Sequence, residues 1–92
     1  MNAKRIEKEE IKLLHFLPTD VLEQPAQKFN RNQNLHNALL LGNIEHEKCK
    51  IVFHAKEGDN YVETTIWAVT DKYICLKGGI CLLIASIIDV IL

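Results

Sequence analysis

The stretch Lys48–Gly79, KCKIVFHAKEGDNYVETTIWAVTDKYICLKGG, decides the fold. Over Lys48–Lys56, residues Cys49, Ile51, Phe53 and Ala55 point one way, and Lys48, Lys50, His54 and Lys56 point the other. That period of two is the mark of a strand with one buried face. Glu57-Gly58-Asp59-Asn60 is turn chemistry. Alternation resumes through Tyr61–Thr70, with Val62, Thr64, Ile66 and Ala68 on one face and Glu63, Thr65, Trp67 and Val69 on the other. After a turn at Asp71-Lys72, Tyr73–Leu76 and Ile80–Ile84 flank Gly78-Gly79 as a hairpin. Ala85-Ser86-Ile87 suits a single 3-10 turn before a last strand, Asp89–Leu92. Short strands with closely spaced turn signals predict a small five-stranded β-barrel. Ile51, Phe53, Ile66 and Leu82 are its expected central core.

Upstream, the pattern turns helical. Ile6, Leu13, Leu14 and Leu17 recur at helical spacing, which predicts a helix over Ala3–Leu17, ended by Pro18. Asp20 and Glu23 have capping-box spacing for a short helical turn that Pro25 closes. Gln24–Gln33 offers only Ala26 and Phe29 as apolar residues and reads as a linker. Leu35, Ala38 and Leu39 form a stripe that predicts a helix over Asn34–Leu41, capped by Asn32 or Asn34 and stopped by Gly42-Asn43. The division that follows is a helical N-terminal extension and linker over 1–31, then a helix plus small barrel over 32–92.

Ninety-two residues suffice for one domain, and 48% hydrophobic with 25% charged residues is globular composition. The net charge is −1. Residues 1–43 carry six Lys/Arg against five Asp/Glu, and residues 44–92 carry five against seven. Neither half shows the basic excess of a protein that binds nucleic acid mainly through phosphates. Cys49, Cys75 and Cys81 form no CxxC and lie in predicted strands among apolar neighbours, so buried, reduced thiols in a cytoplasmic protein are expected. Met1–Glu10 is charged and lacks the apolar stretch of a secretory signal. The apolar tail Ile80–Leu92 falls short of the ~20 residues that span a bilayer, so no membrane association is expected.

From Leu35 onward the chain resembles the Sm-like fold, in particular its bacterial RNA-chaperone (Hfq-type) branch. Asn37-Ala38-Leu39 looks like the end of that family's first helix, and Lys50-Ile51-Val52-Phe53 is similar to its first strand. Val69–Lys77 resembles its strand–turn–strand segment, and Ala85-Ser86-Ile87-Ile88 falls where the family carries its closing motif. Rho-inhibitor proteins of the Rof type and other SH3-like barrels share the same turn, the LKGG and the isoleucine-rich ending. The resemblance implies a fold that is mainly β with N-terminal helices and a five-stranded SH3/Sm-like barrel. It also implies RNA as a partner and ring-forming edges on the last strands. Two positions depart from the pattern: Thr65 stands near the glycine of the bent second strand, and Ala85 replaces the histidine that helps bind uridine.

No residue set points to catalysis. The cysteines and serine lie beside aliphatics without a base and an orienting acid, and Gly78-Gly79 lacks the following helix of a phosphate loop. His46, Cys49 and His54 lack the paired spacing of structural zinc, so neither a metal nor a cofactor is expected. The contact candidates are Lys48, Lys50, His54 and Lys56 as a polar stripe, and Trp67 as an aromatic anchor or base-stacking platform. Ile80–Leu92 is apolar on both faces, which predicts a homo-oligomer unless a helix covers it. The reading is a non-catalytic binding or assembly module, either an RNA-associated regulator of transcription or translation, or a protein–protein adaptor using an apolar edge or the Trp67 face.

Overall fold

In the computed structural model, which describes residues 3–92, the chain runs β1 (Lys4–Arg5), a 3-10 helix (Lys8–Leu13) and α1 (Pro25–Glu45). It continues through β2 (Cys49–Ala55), β3 (Gly58–Thr64), β4 (Ile66–Val69), β5 (Tyr73–Leu76) and β6 (Cys81–Leu83). A 3-10 turn (Ile84–Ser86) then leads into β7 (Ile87–Ile91). The strands form a four-stranded sheet, order β1-β3-β2-β7, and a three-stranded sheet, order β4-β5-β6. Among the described residues the fold is therefore mainly β with one α-helix. The expected closed five-stranded barrel is not what the strand pairing describes, since among the described residues no ladder joins the two sheets.

The β2–β3 hairpin is tighter than the four-residue break suggests. Ala55 pairs with Gly58 across the two-residue loop Lys56-Glu57, and Asp59 and Asn60 already belong to β3. Gly58, at φ +126°, adopts a conformation that a side chain would oppose. Tyr61–Thr70 is not one strand but two. At Thr65 the chain leaves the larger sheet and enters the smaller one. Ile66 then pairs with Leu76 and Ala68 with Cys75, so Trp67 is the extra residue of a β-bulge. The bulge reverses the expected facing beyond it: Val69 packs against the core, and Ala68 comes level with half-buried Cys75. The turn at Asp71-Lys72 forms around Thr70, whose hydroxyl accepts the Lys72 and Tyr73 amides at 3.3 and 2.9 Å.

The N-terminal expectations need correction. Ala3–Leu17 is not an α-helix. Lys4 and Arg5 pair in parallel with Asn60 and Tyr61 of β3, and only the 3-10 helix follows. Ile6 and Ile11 enter the core, whereas Leu13, placed on the buried stripe by helical spacing, is 68% exposed. No helical turn forms at Asp20, whose carboxylate instead accepts the Leu22 amide at 2.9 Å. Pro25 opens a helix rather than closing one, because a proline in the first helical position gives up no intrahelical bond. Gln24–Gln33 is thus mostly the start of α1, and the boundary at 31/32 falls inside it. Gly42-Asn43 does not stop α1 either; the helix ends at His46, which takes the left-handed conformation at φ 56°.

Ile51, Phe53, Ile66 and Leu82 are fully buried, as their strand faces require. One cluster joins them to Ile6, Ile11, Leu35, Ala38, Val62, Ile74, Leu76, Ile87 and Val90. Phe16 lies over Phe53 with ring centroids 6.2 Å apart. α1 packs against β4 and β7 and so covers much of the apolar tail that the sequence left unaccounted for. The last strand begins at Ile87, two residues before the expected Asp89.

Candidate functional site

On the smaller sheet, Ile66, Ile74, Leu76 and Leu82 face inward and are buried. The opposite face carries Trp67, 51% exposed, and Tyr73, 43% exposed. Half-buried Cys75 and Leu83 and exposed Cys81 complete it. Register fixes the arrangement: Tyr73 pairs with Leu83, Cys75 with Cys81, and Ala68 with Cys75 on its other side. The bulge projects Trp67 from this surface. Among the described residues, β4 and β6 pair only with β5, so neither outer edge of the sheet has a strand partner, and α1 crosses the β4 edge at Ile66. The result is an amphipathic face with two rigid aromatic groups.

The lysine–histidine stripe lies on the other sheet. Lys48 and Lys56 are exposed at the two ends of β2. Lys50 Nζ sits 4.1 Å from the Tyr61 ring centroid, a cation–π contact, and its register partner is Glu63. His54 Nδ1 lies 2.6 Å from Asp59 Oδ1 on the paired strand. On β2, half-buried Lys50 and His54 share their face with fully buried Val52, and each of the two is engaged by a neighbour. Acidic groups alternate with the basic ones, and Trp67 is not on this surface.

The residues weighed for metal have separate roles. The Cys49 thiol donates to the Thr64 carbonyl at 3.5 Å, and burial pushes it up to about 11. His46 is the helix cap and His54 the partner of Asp59. Among the described residues no three His, Cys, Asp or Glu side chains converge.

A cleft of about 620 Å³ opens between α1, the Asp20 segment, the β4–β5 turn and the 3-10 turn, lined by Asp20, Arg31, His36, Lys72 and Ile84 among others. Its most buried polar group, Arg31, is 4% exposed. The guanidinium donates to both Asp20 carboxylate oxygens at 2.8 and 2.9 Å and to the Ile87 carbonyl at 3.2 Å. Arg31 lowers the Asp20 carboxyl below its ordinary value by hydrogen bonding and charge. This clamp holds α1 to the chain before it and to β7, and leaves the guanidinium few donors for a ligand. A second clasp joins His15 to Glu57: the His15 amide and ring donate to the carboxylate at 3.0 and 2.6 Å, and Glu57 is pulled down to about 2.

Sequence reasoning singled out Trp67 but not Tyr73, and treated Cys75 and Cys81 as buried hydrophobes. Cys81 is exposed. The signal was present: a hairpin centred on Gly78 sets residue 75 opposite 81 and residue 73 opposite 83. Arg31–Asp20 and His15–Glu57 left no comparable trace, because tertiary contacts alone bring those pairs together.

No protein-family model, curated protein or solved structure matches this chain. Among the described residues no helix is long and apolar enough to cross a membrane.

Proposed function

We propose that the chain is a non-catalytic binding module of the SH3/Sm-like small-barrel kind, in an open form, and that it recruits a polypeptide through the outer face of β4-β5-β6. The observation that carries this reading is the pair of exposed aromatic side chains, Trp67 and Tyr73, on a sheet with two unpaired edges. Aromatic anchors dominate interface energetics, and an edge without a strand partner, such as that of β6, can accept an added strand. The barrel reading draws on two junctions: Thr65 alone separates β3 from β4, and a three-residue 3-10 turn separates β6 from β7. A second copy of the chain is one polypeptide that fits, which is how the homo-oligomer enters. The RNA-associated reading rests on the Hfq-type resemblance and on Lys48 and Lys56, whose exposed amines have no ion-pair partner among the described residues.

The test is affinity capture with the wild-type chain and a Trp67→Ala/Tyr73→Ala variant, each with and without ribonuclease. The expected result is a protein retained by the wild type, insensitive to ribonuclease and weakened at least ~30-fold by the variant, since a hot-spot aromatic contributes about 2 kcal/mol or more. Capture that ribonuclease abolishes and the variant leaves intact would replace the adaptor reading with the RNA one.

A further inference from the structure

We infer that Cys75 and Cys81 form a thiol-exchange site, at which a small-molecule disulfide oxidises the pair to an intramolecular disulfide and a reducing thiol restores it. The two residues are direct cross-strand partners on β5 and β6, with Sγ atoms 3.2 Å apart. One step nearer the turn, the Leu76 amide donates to the Ile80 carbonyl at 2.7 Å. Alternation along an antiparallel ladder therefore makes Cys75–Cys81 a non-hydrogen-bonded pair, the kind whose Cα atoms approach to about 4.5 Å. That spacing lies at the short end of the ~4.4–6.8 Å range a disulfide bridges. The bond therefore needs little backbone movement.

Accessibility orders the steps. Cys81 is exposed and Cys75 half-buried beside it, with its thiol raised above the ordinary value by the Cys81 side chain. The Cys81 thiolate, having lost its proton to solvent, attacks one sulfur of oxidised glutathione. The glutathione S–S bond breaks, a mixed disulfide forms on Cys81, and one glutathione leaves as its thiolate. Cys75 then loses its proton and attacks the Cys81 sulfur, expelling the second glutathione. Two electrons pass from the protein thiols to the glutathione disulfide, and the two released protons balance the two glutathione thiols formed. Cys49 stays outside this chemistry, because it is buried and its thiol holds its proton to about 11. The site shares its face with Tyr73 and Leu83, but its chemistry is independent of what that face binds.

The experiment incubates the reduced full chain with oxidised glutathione, then counts thiols after denaturation and maps disulfide-linked peptides. The expected count falls from three to one, the mass falls by two hydrogens, one linked pair joins Cys75 to Cys81, and dithiothreitol returns all three thiols. A Cys75→Ser variant should stop at a stable glutathione adduct on Cys81. Three surviving thiols, glutathione retained on the wild-type chain, or disulfide-linked dimers would each overturn the assignment.

Discussion

Gly42 faces the Ile66 carbonyl where α1 crosses the junction of β3 and β4. A methyl group there would sit 2.7 Å from the Ile66 carbonyl oxygen and 2.9 Å from the Thr65 γ-methyl. In an exposed helix interior, Gly→Ala stabilises by about 1 kcal/mol through helix propensity. Here overpacking opposes it, at a cost of about 1–3 kcal/mol when rigid neighbours must move. One obstacle is backbone, so the second effect should win. Gly42→Ala is expected to lower the urea midpoint, with a net loss of about 1 kcal/mol. An unchanged or raised midpoint would mean that α1 does not approach the sheet this closely. Thr65, assigned outward by alternation, is buried at this same crossing.

At the level of elements, what could be read in advance divides by how local its cause is. The hairpin at Gly78-Gly79 and the inward face of β2 were legible, because turn residues and period-two alternation are short-range signals. α1 was half legible. Its buried stripe is Arg31, Leu35, Ala38 and Gly42, so a cation and a glycine occupy positions where an apolar pattern is sought. The trace of its start was Pro25, which the sequence alone let stand as a terminator. β1 carries two charged residues and pairs with a strand more than fifty positions away, which no local pattern encodes. Of the candidate site, Trp67 was legible as an aromatic on the outward face of a strand; the bulge that sets its neighbours was not. The hidden Arg31 yields a prediction about α1 docking. Asp20→Ala would leave a buried guanidinium unpaired, so a loss of about 3 kcal/mol is expected, the low end for a broken buried pair because Asp20 is partly exposed. Arg31→Met, which removes the charge and keeps the bulk, should cost less. The folded state holds the Asp20 carboxyl below its ordinary 3.8, so its contribution is complete above that value and drains as pH falls through the folded value. Denaturation midpoints of wild type and Asp20→Ala should therefore converge in acid. A gap that stays constant down to pH ~2, beneath the usual Asp range, would assign the loss to packing instead.

At the level of the whole molecule, the question is whether the N-terminal third is a detachable cover or part of the fold. If a helix over Ala3–Leu17 merely shielded the C-terminal strands, deleting residues 1–31 would leave a folded domain that associates. The packing argues otherwise. Ile6 and Ile11 belong to the cluster that contains Phe53 and Leu82, and Phe16 stacks near Phe53. β1 covers an edge of β3, and Arg31 anchors α1 to β7. Burying Ile6 and Ile11 contributes about 1.5–3 kcal/mol each, so about 3–6 kcal/mol is lost before Phe16 or the clamp is counted. A domain of this size holds a total of about 5–15 kcal/mol. Even the milder deletion of residues 1–24, which spares α1, is therefore expected to abolish cooperative thermal unfolding followed by circular dichroism. A truncated chain that melts cooperatively at the wild-type midpoint would show that the segment is dispensable. If that chain also sediments as an oligomer while the full chain remains a monomer, residues 1–24 act as a shield over an assembly surface, and the single continuous core is the wrong description.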